Sequence, residues 1–407
     1  MNIEREFILS IVREICSGGE RDNIEKLLNL KGLDWEKVKN CMIYHEIVSL
    51  GYSVLKEYFD LLPRDFRRFL KNKYYYGTLR NECLWGEFLR LIEIFGQKDI
   101  VLIPVKGMAL FKDIYSNPSL RNIGDIDLLV KNKDILKAEE ILYNLGYERE
   151  SAGLKENYWR EKQYHIIFLK RNHSRLSAIV ELHWRLDYKR KKDILPLLWS
   201  RLRRVDIDNR SMYSLSCEDT FFSLALHNRR LGKVLCMKSV FDLFLLLKKY
   251  SNFDWDYVLK EAKSGNMRTT VFFILSQANF FFGLSISKDI LKNLAIPFYK
   301  RKLICQFIEK NTFLPDIKEK IRDLYLKSHF LLYDNFREPV EYILNIPIEQ
   351  FAKFYGIKSY DRKTYLFYRF RCIYIPAKYI KEKLSYRCYE GDDKISGVKR
   401  EKKTTYS

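Results

Sequence analysis

VLIPVKGMALFKDIYSNPSLRNIGDIDLLVKNKDILKAEEILYNLGY, residues 101–147, is the stretch whose reading decides the fold of this 407-residue chain. With Ile100 before it, the apolar run IVLIPVKG closes on Gly107, the pattern of a buried strand ending in a tight turn. MALFKDIY then resumes helical spacing. NPSLRNIG carries Pro118 and Gly124 and reads as a loop. DIDLLV is strand-like, and KNKDILKAEEILYNLGY predicts a helix ending at Gly146. Downstream, HIIFLKR and SAIVELHWRL alternate well enough to be strands. Strand, helix, strand, helix and further strands make a small α/β unit over residues 96–210.

The flanks differ from this centre. Residues 1–95 show helical periods with few strand signals, beginning with the amphipathic MNIEREFILSIVREI. PRDFRRFLKNKYYYGTLRNE predicts a helix with a solvated basic face. Residues 211–350 return to helix, and SCEDTFFSLALHNRR opens with Ser216 as a candidate N-cap and Asp219 three residues on. Residues 351–407 are dense in Tyr, Phe, Lys and Arg, and the last twenty or so read as a mobile tail. Interleaved aromatic and basic residues can stack bases while neutralising phosphate. They serve equally a helix packed on the core with its charges outside, which is the preferred reading.

Hydrophobic content of 47% with 15% aromatics supplies a buried core and excludes global disorder. The formal net charge of +21 admits a polyanionic partner, either nucleic acid or nucleotide phosphate. The eight cysteines are scattered without a C-x-x-C pair, which argues against a structural zinc site and a disulfide framework. VFFILSQANFFFGLSI at 271–286 is too short to span a bilayer and holds Gln277 and Asn279 centrally, so a buried helix is expected. With no signal-peptide pattern at its start, the chain is expected to be soluble and cytoplasmic.

Chemistry concentrates at Asp125 and Asp127. Alternate residues of a strand share a face, so the two carboxylates project the same way, directly after a glycine-containing loop where a ligand can reach them. Paired carboxylates repel unless cations lie between them, and Mg²⁺ prefers oxygen ligands completed by substrate phosphates. Asp-x-Asp alone is common on solvated strand edges. Two further features strengthen it: a strand ending at Lys106–Gly107 that leads into a helix, and Glu181 in the apolar run AIVELHW. Ile179, Glu181 and His183 share one face of that strand. His183 could orient Glu181 or contact substrate. His165, His227 and Asp242 are further candidates for the cleft, although Asp242 could instead pair with a nearby Lys or Arg.

The stretch 101–147, followed by IVELHW, resembles the poorly characterised bacterial and archaeal nucleotidyltransferases of the DNA polymerase beta superfamily. The order of strand, K-G turn, helix, Arg-bearing loop, G-D-I-D-L-L-V, helix ending G-Y and E-L-H-W carries the resemblance over about residues 100–185. LSCEDTFFSLALH and Asp242 in KSVFDLFLLL extend it to about residue 260. It implies an α+β fold, a small mixed-sheet core flanked by N-terminal and C-terminal helical regions. It also implies transfer of a nucleoside monophosphate from an NTP to an unidentified acceptor, which could be a small molecule, a protein or an RNA end. Asp125, Asp127 and Glu181 would be the catalytic carboxylates, holding Mg²⁺ or Mn²⁺ in two-metal chemistry. Gly107 would let the backbone approach the triphosphate. The wider superfamily has Gly-Gly-Ser or Gly-Ser at the turn; here Lys106–Gly107–Met108 lacks the hydroxyl, and Lys106 and Arg121 are the replacements for phosphate contact. That departure leaves a second reading, a nucleotide- or RNA-binding protein on the same scaffold without turnover.

Overall fold

Alternating side chains give the sheet of this protein one packed, mainly apolar face and an opposite face that carries its acids and histidines beside Ile103 and Leu129. The structure is a computed structural model that describes residues 3–30, 32–150, 160, 163–172, 175–187, 194–230, 234–313, 324–345 and 361–392. Its main sheet comprises β1 (Ile103–Pro104), β2 (Ile126–Leu129), β3 (Tyr147–Arg149), β4 (His165–Asn172) and β5 (Arg175–His183), in the order β1-β2-β5-β4-β3. β2 and β5 run parallel, and every other pairing is antiparallel.

On the packed face, Ile126 and Leu128 of β2, Ile166 and Phe168 of β4, and Val180 and Leu182 of β5 share one cluster. Leu84, Phe88, Leu91 and Phe95 of the long helix Arg64–Gly96 cover it, joined by Ala138 and Leu142 of the helix Ile135–Asn144. The intervening residues Asp127, His165, Glu181 and His183 therefore fall on the opposite face. The helix Ile135–Asn144 stops as its sequence predicts, with Gly146 in the left-handed region at φ +79°.

The long helix also joins this layer to a second core. Its early residues Phe66 and Leu70 enter a cluster built by Phe7, Ile8 and Ile11 of the first helix, Ile3–Ser17, with Phe221, Phe222, Val240, Leu243, Phe273 and Phe307 from later helices. Each fully buried side chain of this kind contributes roughly 1.5–3 kcal/mol, so helices from both ends of the sequence stabilise one another. Ser216 caps the helix Cys217–Asn228 as predicted, its Oγ accepting from Asp219 N at 3.1 Å. The apolar segment near 271–286 forms the buried helix Arg268–Phe282, closed by left-handed Gly283. Among the described residues no helix is long and apolar enough to cross a membrane. Cys16, Cys41, Cys83, Cys217, Cys236, Cys305 and Cys372 are free thiols.

The fold is thus α+β with helical flanks, and it differs from the sequence reading in detail. The predicted strand IVLIPVKG contributes only Ile103 and Pro104 to the ladder, because the chain turns at Lys106 into a one-turn helix. β3 and the hairpin β6 (Arg203–Ile207) and β7 (Arg210–Ser214) are additions. The hairpin turn is Asp208–Asn209, both left-handed, the conformation that Asp and Asn tolerate in a two-residue hairpin loop. In the C-terminal region the helix Arg362–Asp392 buries Cys372 against Leu326, Phe330 and Ile343, while Leu366, Phe367, Phe370 and Tyr374 are exposed. Residues 351–360 and 393–407, including most of the expected tail, lie outside the described residues.

Candidate active site

Parallel pairing of β2 with β5 sets Asp127 directly opposite Glu181. Antiparallel pairing of β5 with β4 sets His183 opposite His165. Donor atoms from three of these residues converge: one ligand atom each from Asp127, Glu181 and His183 lies within 4.8 Å of the others. His183 Nε2 is 3.0 Å from Asp127 Oδ1 and 3.2 Å from Glu181 Oε2. His165 Nε2 stands 3.9 Å from Glu181 Oε1, with its ring stacked on His183 at 4.9 Å between centroids. Asp127 and His183 are buried and Glu181 is partly exposed, so the cluster opens toward solvent through Glu181.

Lys106 reaches into the same point. Its Nζ donates to Asp127 Oδ1 and, at 3.0 Å, to Glu181 Oε2, and lies 3.4 Å from His183 Nε2. Burial would weaken the lysine's charge, but Asp127 and Glu181 raise its pKa above the ordinary value. Burial would likewise raise the Glu181 carboxyl, yet the hydrogen bond with His183 and the Lys106 ammonium hold it well below the usual carboxylate range. Burial, then the charge of His183, pushes the His165 imidazole well below its ordinary value.

Asp125 stands at the edge, immediately before β2 and outside the converging trio. A buried amide fixes the loop that delivers it: Asn81 Oδ1 accepts from Ile123 N at 2.8 Å, and its Nδ2 donates to the Arg121 carbonyl at 2.7 Å. Burial, followed by the neighbouring Asp127 and Glu181 carboxylates, pushes the Asp125 carboxyl up to about 6. Three carboxylates around one ammonium leave an excess of negative charge, the electrostatic signature of a cation site.

The turn holds a different arrangement from the one its glycine suggested. Lys106, not Gly107, takes a left-handed backbone, with φ +51°. A Cβ on Gly107 would lie 2.5 Å from Arg121 Nη1, so the glycine makes room for that guanidinium. Arg121 is buried and forks onto Asp242, Nε to Oδ1 and Nη2 to Oδ2, both at 2.8 Å. Tyr115 Oη adds a 2.6 Å hydrogen bond to Asp242 Oδ1. Burial alone would weaken the charge of Arg121; Asp242 more than restores it. The Arg pairing weighed for Asp242 is the one observed. His227 lies half-buried in the last turn of the helix Cys217–Asn228.

Residues that the sequence did not single out complete the surroundings. Tyr164 stacks on His183 at 5.8 Å, and the Arg230 guanidinium lies 4.1 Å from the Tyr164 ring centroid. Arg230 acts on the charge of Lys106, and Lys238 on that of Asp125. Tyr164 adjoins His165, and Arg230 closes the run His227–Asn228–Arg229–Arg230, but only the fold shows which of these neighbours face the cluster.

The mixed sheet thus presents an acidic pair at the start of one strand and a third acid on the parallel strand beside it. Residues 31–283 match the family of uncharacterised nucleotidyltransferases. The match spans more than half of the chain, and the protein belongs to that family. No curated protein and no solved structure matches it significantly.

Proposed function

We propose that the protein is a metal-dependent nucleotidyltransferase that moves a nucleoside monophosphate from an NTP to an acceptor hydroxyl and releases pyrophosphate. The observation that carries this reading is the convergence of Asp127, Glu181 and His183 from two paired strands on one point of the acid-bearing sheet face. The two carboxylate oxygens suit Mg²⁺ or Mn²⁺, the imidazole nitrogen tilts the set toward the transition ion Mn²⁺, and Asp125 adds negative charge at the edge. When bound, the divalent ion supplies charge stabilisation at phosphorus and activation of the attacking oxygen. His183 ligates through Nε2 only while that nitrogen is unprotonated, and His165, kept neutral, stacks against it and fixes its plane.

Lys106, which touches the trio, and Arg230, whose charge acts on Lys106, are cationic side chains that can meet phosphate oxygens. Arg121, forked onto Asp242, instead braces the turn that positions Lys106. In this reading Arg121 and Asp242 are positioning residues, and Gly107 serves them.

The test is a screen of the four labelled NTPs with Mn²⁺ and a cell extract as acceptor source, reading pyrophosphate release. Release by the wild type and its loss in Asp127→Ala is the expected result. Tight NTP binding without release with any of the four would favour the non-catalytic alternative. A nucleic acid as acceptor or ligand draws on one observation, the exposed Phe367, Phe370 and Tyr374 of the helix Arg362–Asp392, where Phe370 and Tyr374 stack at 5.5 Å among Arg and Lys residues. Single-stranded RNA binding with a steep salt dependence, flattened in Phe367→Ala/Phe370→Ala, is the outcome that supports it.

A further inference from the structure

Lys106 Nζ touches the same three atoms that make the candidate metal site. It contacts Asp127 Oδ1, lies 3.0 Å from Glu181 Oε2 and 3.4 Å from His183 Nε2, and its side chain is only 11% exposed. It does so from a backbone at φ +51°, a region that a lysine enters at an energetic cost and a glycine would enter freely. A long cationic side chain held in a glycine's conformation, with its charge at the focus of a buried acidic site, points to a role for that charge.

We infer that the Lys106 ammonium and a divalent metal are alternative occupants of one cation position: Lys106 neutralises the trio in the metal-free protein and is displaced when metal binds. The inference rests on the nucleotidyltransferase reading and adds a device to it. Both cations draw on the lone pairs of Asp127 Oδ1 and Glu181 Oε2, and His183 Nε2 joins the metal's ligands once it gives up its proton. A metal–oxygen or metal–nitrogen distance of roughly 2.0–2.2 Å from these atoms puts the ion within a few Å of Nζ. At that separation, in a largely buried site, an ammonium and a divalent ion repel strongly. Without either cation, Asp127 and Glu181 would be adjacent uncompensated carboxylates, an arrangement that burial makes costly. One cation at a time satisfies both constraints.

The consequence is mechanical as well as electrostatic. The lysine stem is four carbons of rotatable chain, so displacement moves Nζ outward while its backbone, held against the Arg121 brace, stays in place. The released ammonium emerges beside the loaded site, where the phosphates of an NTP would approach. Metal binding thereby arms a phosphate contact that the metal-free protein keeps folded inward.

The experiment measures Mn²⁺ affinity of the full-length protein by paramagnetic resonance of free Mn²⁺, without nucleotide, in wild type, Lys106→Met, Lys106→Arg and Asp127→Ala. Removing the internal competitor in Lys106→Met is expected to tighten Mn²⁺ binding at least about tenfold. Lys106→Arg keeps a competing charge and should not tighten it; Asp127→Ala should lose the site. A second readout uses the wild type alone: acylation of Lys106, followed by peptide mass spectrometry, should rise several-fold on saturation with Mn²⁺. A folded Lys106→Met that binds Mn²⁺ no tighter than wild type, or a Lys106 equally unreactive with and without Mn²⁺, overturns the displacement while leaving the metal site intact. Absence of any Asp127-dependent Mn²⁺ binding in wild type and Lys106→Met overturns the metal reading itself, and this inference with it.

Discussion

Asp127 and Glu181 are register partners on adjacent parallel strands, and one lysine, Lys106, donates to both. That relationship ties the turn after β1 to the acids of β2 and β5, so a change at any of the three is felt by the other two.

Glu181→Gln keeps the shape of the side chain and removes one of the charges that hold the ammonium and the proposed metal. Mn²⁺ affinity is expected to fall by more than the roughly 10–100-fold lost when only a supporting partner of a metal ligand is removed. Calorimetric titration of Mn²⁺ into wild type and variant checks this, and an unchanged affinity would remove Glu181 from the ligand set.

Asp242→Ala leaves the Arg121 guanidinium buried without its carboxylate. Breaking a buried pair from one side costs roughly 3–5 kcal/mol, because the remaining charge is uncompensated. Urea denaturation should show this loss, and a double-mutant cycle with Arg121→Met should recover much of it. Full additivity of the two losses would argue against a coupled pair.

Gly107→Ala pushes a methyl group toward Arg121 Nη1, 2.5 Å from the ideal Cβ position. Either the fork onto Asp242 or the turn must shift, with an expected destabilisation of roughly 1–3 kcal/mol, the range for overpacking a closed site. Thermal unfolding measures it. A Gly107→Ala protein as stable as wild type would show that the guanidinium can move aside freely.

His45 and His329 make stability fall in acid. Burial lowers His45 to about 4 and, with Arg229, lowers His329 to about 3. His45 Nε2–H donates to the Thr312 carbonyl at 3.1 Å, which offsets only part of the effect of burial. Both folded values lie below the ordinary histidine value of about 6.5. The unfolded chain therefore binds more protons between that value and the folded ones, and stability rises with pH across the window. The contribution is complete above about 6.5 and is lost as pH falls toward 4 and then 3, at up to about 1.4 kcal/mol per group per pH unit. Urea midpoints between pH 7 and 4 should decline accordingly. His45→Gln, which preserves a donor for Thr312, should shallow the slope.

The local elements were legible in the chain because their signals are local. Period-2 alternation in AIVELHW puts Glu181 and His183 on one face whatever the strand pairs with, and it also places Val180 and Leu182 in the core behind them. The helix stop at Gly146 and the Ser216 cap follow from backbone preferences of single residues. By contrast, β3, β6 and β7 are short and half-exposed, so their alternation is weak, and only Asp208–Asn209 marks the hairpin turn.

The sequence by itself determined an α+β fold, an acid-bearing sheet between helical flanks, and the acids Asp125, Asp127 and Glu181 as the place to look for chemistry. Tertiary structure alone decided which atoms meet. It brought His183 and Lys106 into the donor cluster, left Asp125 at its edge, and tied Arg121 to Asp242 across 121 positions of chain. It also joined helices from both ends of the sequence in one core. The reason is that side-chain direction along a strand is fixed locally, whereas strand register and ion pairing between distant segments are fixed by how whole layers pack.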